Sequence, residues 1–135
     1  MSEKVLSGQT AIVTGGSRGI GEGIVRVLAA EGAVPVIISN DLEEGERVAK
    51  SLGDSSGASA IHAELTRPDD CRLAVEEVLR RYGRIDGLVN NAGVNDGQTD
   101  RITKYGEVLE LMAPPLSTSR LVAFTVTVPA VFAKK

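Results

Sequence analysis

The sequence predicts an α/β fold in which helices cover both faces of a doubly wound parallel sheet. Within residues 5–96, four short apolar runs rich in β-branched residues alternate with three stretches of helical periodicity. Short apolar runs of this kind are typical of buried parallel strands, and their alternation with helices is typical of βαβ units. In a doubly wound sheet these four strands take the order 3-2-1-4.

The first half of this region supplies two strands and two helices. Residues 10–13 form an apolar run that ends in glycines, and they are the first predicted strand. A helix from Gly19 to Gly32 follows, because its apolar residues fall on one helical face: Ile20, Ile24, Val25 and Leu28. Residues 34–38 form the second strand. The second helix is indicated by apolar residues at helical spacing: Leu42, Val48, Ala49 and Leu52.

The second half continues the alternation. A Gly- and Ser-rich loop at residues 53–57 precedes the third strand, predicted over residues 58–65. Thr66 is the expected cap of the third helix, with a proline in the first turn, and Gly83 ends that helix. Residues 85–89 form the fourth strand. A flavodoxin-like receiver domain has the same alternation and is the alternative fold.

Composition excludes several classes of protein. The 135 residues carry a net charge of −3 with mixed signs, so no basic surface for nucleic acid is expected. Cys71 is the only cysteine and His62 the only histidine, which excludes a disulfide framework and a Cys/His metal site within one chain. No apolar run is long enough to span a bilayer and the N-terminus lacks a signal-type apolar region, so a cytoplasmic protein with no membrane partner is expected.

A glycine-rich turn connects the first strand to the first helix. The segment reads Thr-Gly-Gly-Ser-Arg-Gly-Ile-Gly over residues 14–21. Gly15 can adopt backbone angles closed to other residues, and Gly19 and Gly21 allow a phosphate and the neighbouring strand to approach the helix closely. The free N–H groups and the positive dipole end of the helix then face that phosphate. Alone, such a cluster would also fit an ordinary strand-to-helix turn.

A second motif follows the fourth strand. Residues 90–93 read Asn-Asn-Ala-Gly, and the doubly wound order brings this segment beside the glycine turn. The two motifs together resemble the Thr-Gly-x-x-x-Gly-Ile-Gly and Asn-Asn-Ala-Gly markers of the short-chain dehydrogenase/reductase family. The run over residues 86–96 is especially similar to sugar dehydrogenases of the L-fucose dehydrogenase type. The resemblance implies a Rossmann-like fold, a nicotinamide cofactor and an alcohol or carbonyl substrate.

The resemblance also implies which residues bind the cofactor. They lie in the glycine turn and after the second, third and fourth strands: Gly15, Ser17, Arg18, Gly19, Ile20, Gly21, Ser39, Asn40, Glu64, Leu65, Asn91, Ala92 and Gly93. By the same resemblance, Asn90 ties the central strands together. Glu64 could equally be a solvated strand end.

The choice between NAD and NADP depends on the end of the second strand. A carboxylate there would bind the ribose 2′-OH, whereas an arginine would accept a 2′-phosphate. Ser39 and Asn40 occupy these two positions and supply neither group. Asp41 could reach the 2′-OH or cap the second helix. Arg18 resembles the basic residue of NADP-preferring relatives, so NADP is favoured over NAD.

The resemblance decays after Gly97. Residues 1–96 are therefore expected to form the dinucleotide-binding unit, and residues 97–135 a divergent tail. Pro114 and Pro115 would break the helix expected after the fourth strand. Residues 121–125 are open to two interpretations, a remnant of that helix or an extended, β-prone segment.

The catalytic Tyr-x-x-x-Lys of the family does not occur in this sequence. Tyr82 is followed four residues later by Asp86, and Tyr105 by Leu109. No catalytic residue is therefore nominated. We expect the N-terminal portion of an NAD(P)-dependent oxidoreductase. The alternatives are a non-catalytic NAD(P)-binding module and an inactive fragment that self-associates into homo-oligomers through an unpaired fourth strand.

Overall fold

A parallel sheet of five strands forms the centre of the molecule. The structure is a computed structural model that describes residues 4–91 and the backbone of residues 122–125. The sheet order is β3-β2-β1-β4-β5, which contains the predicted order 3-2-1-4, and every neighbouring pair is parallel. The strands are β1 Thr10–Thr14, β2 Val34–Ser39, β3 Ser59–His62, β4 Gly87–Asn90 and β5 Val122–Thr125.

Three helices connect the first four strands, as predicted. They are α1 Gly19–Ala30, α2 Leu42–Ser51 and α3 Pro68–Tyr82. A 3₁₀ turn, Asp54–Ser56, lies between α2 and β3. Gly32 and Gly83 follow the ends of α1 and α3, where the sequence predicts that these helices stop.

The sheet separates two apolar clusters because successive side chains of a strand point to opposite faces. On one face, α3 packs on Ile12, Ile38 and Leu88 through its own buried residues Cys71, Ala74, Val75 and Val78. On the other face, α1 and α2 pack on Val13 and Ile37 through Val25, Val48 and Ala49. Both faces of β1 to β4 are therefore covered, which explains why these strands read as continuous apolar runs.

Several predicted details are wrong. Strand β3 ends at His62 rather than at residue 65, and β4 covers Gly87–Asn90 rather than residues 85–89. Thr66 does not cap α3, because the capping position falls on Arg67 and no side chain bonds there. The side chain that orders this turn is instead Asp70, which accepts a hydrogen bond from the backbone N–H of Glu64 at 3.0 Å.

Residues 122–125 adopt the extended conformation, the second of the two interpretations open from the sequence. Strand β5 pairs in parallel with β4, with Val122 opposite Gly87 and Thr125 opposite Asn90. The expectation that β4 is an unpaired edge is therefore wrong, because β5 covers it. The rest of the predicted tail lies outside the described residues, and its division from residues 1–96 stays a prediction.

A reciprocal contact joins the starts of β1 and β4. The backbone N–H of Thr10 donates to Oδ2 of Asp86 at 2.8 Å, and the backbone N–H of Asp86 donates to the carbonyl oxygen of Thr10 at 2.8 Å. Arg84 donates to both carboxylate oxygens of Asp86, at 2.8 and 2.7 Å. The Arg84 guanidinium and the Thr10 N–H lower the pKa of Asp86, although partial burial opposes them.

Candidate functional site

The predicted site residues that the structure describes lie where β1, β2, β3 and β4 end, at one edge of the sheet. After β1 the chain turns through Gly15, whose φ of +66° is in the left-handed region that favours glycine. The Gly15 N–H donates to the carbonyl oxygen of Ile38 in β2 at 2.8 Å. Gly19, at the start of α1, has a φ of +58°. The loop therefore needs glycine at two of the predicted positions.

A hydrogen-bond chain holds the end of β4 against this loop. Thr14 is fully buried, and its hydroxyl donates to the carbonyl oxygen of Val89 at 3.4 Å. The same hydroxyl accepts the backbone N–H of Asn91 at 3.0 Å. The Asn91 side chain in turn donates through Nδ2 to the carbonyl oxygen of Gly15 at 3.2 Å. The two sequence motifs, 76 residues apart, are thus directly bonded.

Gly21 lies where the helix and these two motifs meet most closely. A Cβ atom at Gly21 would stand 2.1 Å from the Gly15 carbonyl oxygen and 2.4 Å from Nδ2 of Asn91. Distances this short cannot be relieved without moving backbone, so no larger residue fits. Gly23, two residues further along α1, has open space around its Cβ position. Of these two helical glycines, only Gly21 is required by the space around it.

The N-termini of α1 and α2 differ in their capping. No side chain caps the first turn of α1, where Arg18 occupies the capping position in extended conformation. Asp41 caps α2, because its Oδ1 accepts the backbone N–H of Glu44 at 3.1 Å. Asp41 therefore acts as a helix cap, one of the two roles open from the sequence. The backbone donors and positive dipole of α1 face the glycine loop, and no side chain of the described residues is bound to them.

Side chains also connect the glycine loop to the end of β2. The hydroxyls of Ser17 and Ser39, both buried, are 3.2 Å apart. Ser39 Oγ also accepts the backbone N–H of Asp41 at 3.0 Å. Nη2 of Arg18 is 3.4 Å from Oδ2 of Asp41. Asn40, which lies between Ser39 and Asp41 in the sequence, is exposed. The predicted residues of the two loops are thus brought together, and Asp41, which was not among the predicted binding residues, joins them.

The remaining predicted residues differ in their surroundings. Glu64 and Leu65 follow β3 and are half-buried, and Leu65 packs on the apolar cluster under α3. Ile20 was expected on the buried face of α1, yet it is 55% exposed, because the buried face passes through Gly21 and Val25 instead. Because Ile20 is exposed next to the glycine loop, its contact with the cofactor stays a prediction. Ala92 and Gly93 lie outside the described residues.

Two buried polar residues, Asn90 and Thr14, lie beside the predicted site residues but are not among them. The Asn90 side chain is 2% exposed, and neither its Oδ1 nor its Nδ2 has a hydrogen-bond partner within the described part of the chain. Its expected role in tying strands together stays a prediction. Thr14 belongs to the glycine motif but is not among the predicted site residues, although its hydroxyl makes two hydrogen bonds that join the end of β1 to the end of β4. The signal in the sequence that could have identified Thr14 is a hydroxyl residue at the end of a buried strand.

Two features are absent from residues 4–91 and 122–125. None of the helices in these ranges is long and apolar enough to cross a membrane. Nor do these ranges contain a group of three His, Cys, Asp or Glu side chains arranged to hold a metal ion.

Comparison with known proteins agrees with this architecture. The family model described as "short chain dehydrogenase" matches residues 9–116. The chain belongs to the short-chain dehydrogenase family. A curated member, L-fucose dehydrogenase from Bos taurus, is 45% identical over 87 residues, which are 64% of this chain and 31% of that protein. The chain spans about a third of the length of the curated family members that it matches first.

Solved structures of family members share the fold. A metagenomic short-chain oxidoreductase in complex with NADP superposes with a TM-score of 0.80 at 30% identity, covering 92% of this chain and 64% of that one. A 3-ketoacyl-(acyl-carrier-protein) reductase from Brucella melitensis, solved with NADH, has a TM-score of 0.69 at 35% identity, covering 82% and 49%. The flavodoxin-like alternative is not needed, because the family match accounts for both motifs and the sheet.

Proposed function

We propose that residues 4–91 form the nicotinamide dinucleotide-binding part of an oxidoreductase that transfers hydride between the nicotinamide and a small alcohol or carbonyl compound. The family match supports the reaction class. Two of the solved relatives contain NADH or NADP, which supports the class of cofactor. When bound, the cofactor supplies the hydride acceptor or donor, and this chain supplies its binding site and its orientation.

The close approach around Gly21 is the observation that carries this proposal. The Asn91 amide and the Gly15 carbonyl lie within 2.4 Å of the position that a Cβ of residue 21 would take. The first turn of α1 has no side-chain cap, so its N–H groups and dipole are available to a pyrophosphate. Helix α3 also lacks a side-chain cap, so the feature that favours a dinucleotide over an ordinary strand-to-helix turn is the bare backbone packed closely around Gly21 at the start of α1.

The positions of the other predicted residues in the loops support their proposed roles in binding the cofactor. Ser17 and Ser39 are bonded to each other beneath the loop and hold the β1 and β2 ends together. Arg18 and Asn40 are exposed on the side where β2 ends and would face the adenosine ribose. Glu64 and Leu65 would lie beside the adenine, Ile20 would lie against the cofactor next to the glycine loop, and Asn91 would line the cofactor ribose. Ala92 and Gly93 keep their proposed place on the ribose by resemblance alone.

Arg18 supports a preference for NADP over NAD, because a guanidinium matches phosphate oxygens and no carboxylate occupies the position of Ser39. The cytoplasmic location and homo-oligomer formation stay predictions from the sequence. The self-associating fragment has less support than the oxidoreductase, because β5 covers the strand edge on which it depended.

Titration calorimetry on the 135-residue chain tests the proposal. Purified protein is titrated separately with NADPH and with NADH, after size exclusion has removed aggregates. Saturable binding of either nucleotide at one site per chain supports the dinucleotide site. The absence of binding to both nucleotides, in protein with a cooperative thermal transition, would refute it.

A matched pair of glycine variants assigns the binding to the crevice. In Gly21→Ala the new methyl group clashes with Gly15 and Asn91, and we expect binding to fall at least tenfold. In Gly23→Ala, on the same helix, the methyl group meets open space, and binding should be unchanged. Asn91→Ala provides a second test if Gly21→Ala does not fold, because it removes a side chain rather than adding one. Equal affinities in all three variants would contradict a site at this position.

A further inference from the structure

One side of helix α1 presents a row of apolar side chains that the described residues leave exposed. Ile20 is 55% exposed, Val27 is 64% exposed, and Ile24 between them is half-buried. Their spacing of four and three residues places them on the same side of the helix. We call these three residues the α1 flank. Apolar residues that are exposed singly are ordinary, but a row of three along one helix indicates a contact surface.

The α1 flank faces β4 and β5. On its other side α1 is bonded to α2, because Arg47 lies 3.5 Å from Glu22 and Arg26 donates to Ser51 Oγ at 3.2 Å. At about 100° per residue, the α1 flank lies on the side of the helix opposite Glu22 and Arg26. Helix α2 connects β2 with β3, so the side of α1 that faces away from α2 is directed towards β4 and β5.

We propose that residues 126–135 of the same chain bind the α1 flank, with Lys134 and Lys135 beside Glu31. The inference concerns the packing of the chain and does not depend on the proposed dinucleotide site. The segment has the sequence Val-Thr-Val-Pro-Ala-Val-Phe-Ala-Lys-Lys, in which a mostly apolar stretch precedes two cations.

The segment is long enough to follow the whole flank. Strand β5 ends at Thr125, opposite the last residue of β4 and at the edge of the sheet where α1 begins. It lies two strand spacings from β1, which is about 10 Å. From Ile20 to Glu31 the helix rises about 17 Å. Ten extended residues span up to about 35 Å, so the two lysines can reach Glu31.

The end of α1 that the lysines would reach is negatively charged. Glu31 follows the last turn of α1, and that turn contains no basic residue. The stem of Lys4 passes beside Gly32, yet within residues 4–91 no cation forms an ion pair with Glu31. A carboxylate is unfavourable at the negative end of a helix dipole, and a lysine there is favourable. The segment therefore matches the flank in charge as well as in polarity.

Two other occupants fit the α1 flank less well. Residues 92–121 connect β4 to β5, and a right-handed connection in this direction passes over the face of the sheet that α3 covers. A second copy that used this flank alone would bury three side chains per partner, far less than the roughly 800 Å² per partner of a stable interface. A segment tethered to β5 needs no such area, because its effective concentration is high.

Tryptophan fluorescence tests the proposal, because the chain contains no tryptophan of its own. Phe132→Trp places a single reporter in the segment of the full chain. We expect it to emit at a shorter wavelength than tryptophan in water, and acrylamide should quench it several-fold less than free tryptophan. Both signals should be independent of protein concentration, because the contact forms within one chain.

Changes to the α1 flank assign the signal to this contact. In the reporter chain, Ile20→Gln combined with Val27→Gln should shift the emission and the quenching to those of an exposed tryptophan. Glutamine favours helices at least as well as isoleucine or valine, so α1 itself should persist. Leu73→Gln is the matched control at a 53% exposed residue of α3, on the other face of the sheet, and should change neither signal. Glu31→Gln should increase quenching at low salt and less at high salt, because only an ionic contact is lost.

Three results would overturn the inference. One is a reporter that behaves as exposed tryptophan in protein with a cooperative thermal transition. Another is a protected reporter that the two glutamine substitutions leave unchanged. The third is protection that depends on protein concentration, which would assign the α1 flank to a second copy. If Phe132→Trp does not fold, Val131→Trp repeats the measurement from the neighbouring position.

Discussion

The carboxylate of Asp86 joins the two central strands, and its removal should destabilise the fold without touching the crevice. It accepts the N–H of Thr10 at 2.8 Å, and Thr10 is 3% exposed. Asp86→Ala leaves that buried N–H without its acceptor, which costs about 1–3 kcal/mol. Loss of the Arg84 pair adds little, because the Arg84 side chain is exposed. We therefore expect a loss of about 1–3 kcal/mol.

Asp86→Asn separates the hydrogen bond from the charge. Asparagine retains an acceptor oxygen for Thr10 and loses only the exposed ion pair with Arg84, so the loss should be clearly smaller than in Asp86→Ala. Urea unfolding at neutral pH, followed by circular dichroism, gives the free energy of unfolding for both variants from the midpoint and slope. Equal losses in the two variants, or less than about 0.5 kcal/mol in Asp86→Ala, would refute the role assigned to the Thr10 bond.

The same contact predicts a dependence on pH. Arg84 and the Thr10 N–H lower the pKa of Asp86 in the folded chain below its usual 3.8, so the unfolded chain binds a proton more readily. The stabilisation is fully present above the unfolded pKa and is lost as the pH falls through the lowered folded pKa. Urea midpoints of the unmodified chain and Asp86→Asn should therefore converge towards acid pH. A gap that stays constant down to the lowest pH would contradict this explanation.

Three further predictions follow from other contacts. Tyr82→Phe removes the hydroxyl that donates to the Gly57 carbonyl at 2.8 Å and should lower the free energy of unfolding by about 1 kcal/mol in urea, whereas no change would mean that water replaces this bond. Hydrogen bonds from two arginines lower the pKa of Glu77 to about 2, so its carboxyl carbon should titrate near pH 2 by NMR, and a midpoint near the usual 4.5 would contradict those bonds. Gly16→Ala places a Cβ 2.9 Å from Val25 and should destabilise the chain by about 1–3 kcal/mol in the same urea assay, an effect excluded if the midpoint is unchanged.

Local patterns in the sequence were sufficient for the elements and their order. Each predicted strand and helix is present, because apolar periodicity reports directly which side of an element is buried. The boundaries were less accurate. Strand β3 stops at His62 because its partner β2 ends opposite it at Ser39, and the backbone N–H of Glu64 bonds to the Asp70 side chain of α3 instead. The length of the partner strand and a side-chain acceptor leave no mark on local periodicity.

The sequence predicted which residues form the candidate site but not the contacts between their side chains. Spacing alone indicated that Gly15, Gly21 and Asn91 meet, since both motifs follow strands that are neighbours in a doubly wound sheet. The ion pair of Arg18 with Asp41 and the hydroxyl contact of Ser17 with Ser39 depend on side-chain directions across two loops. Those directions are fixed only when β1 and β2 pair and bring the two loops together.

The sequence by itself determined the fold class, the strand order and the family, because periodicity and two short motifs are local properties of the chain. Tertiary structure decided three other things: that β5 covers β4, that Ile20 is exposed, and that Asp41 faces Arg18. Each depends on the distance between segments that are far apart in the chain or on the rotation of a helix about its axis. Both quantities are set by packing the whole sheet, and no single segment encodes them.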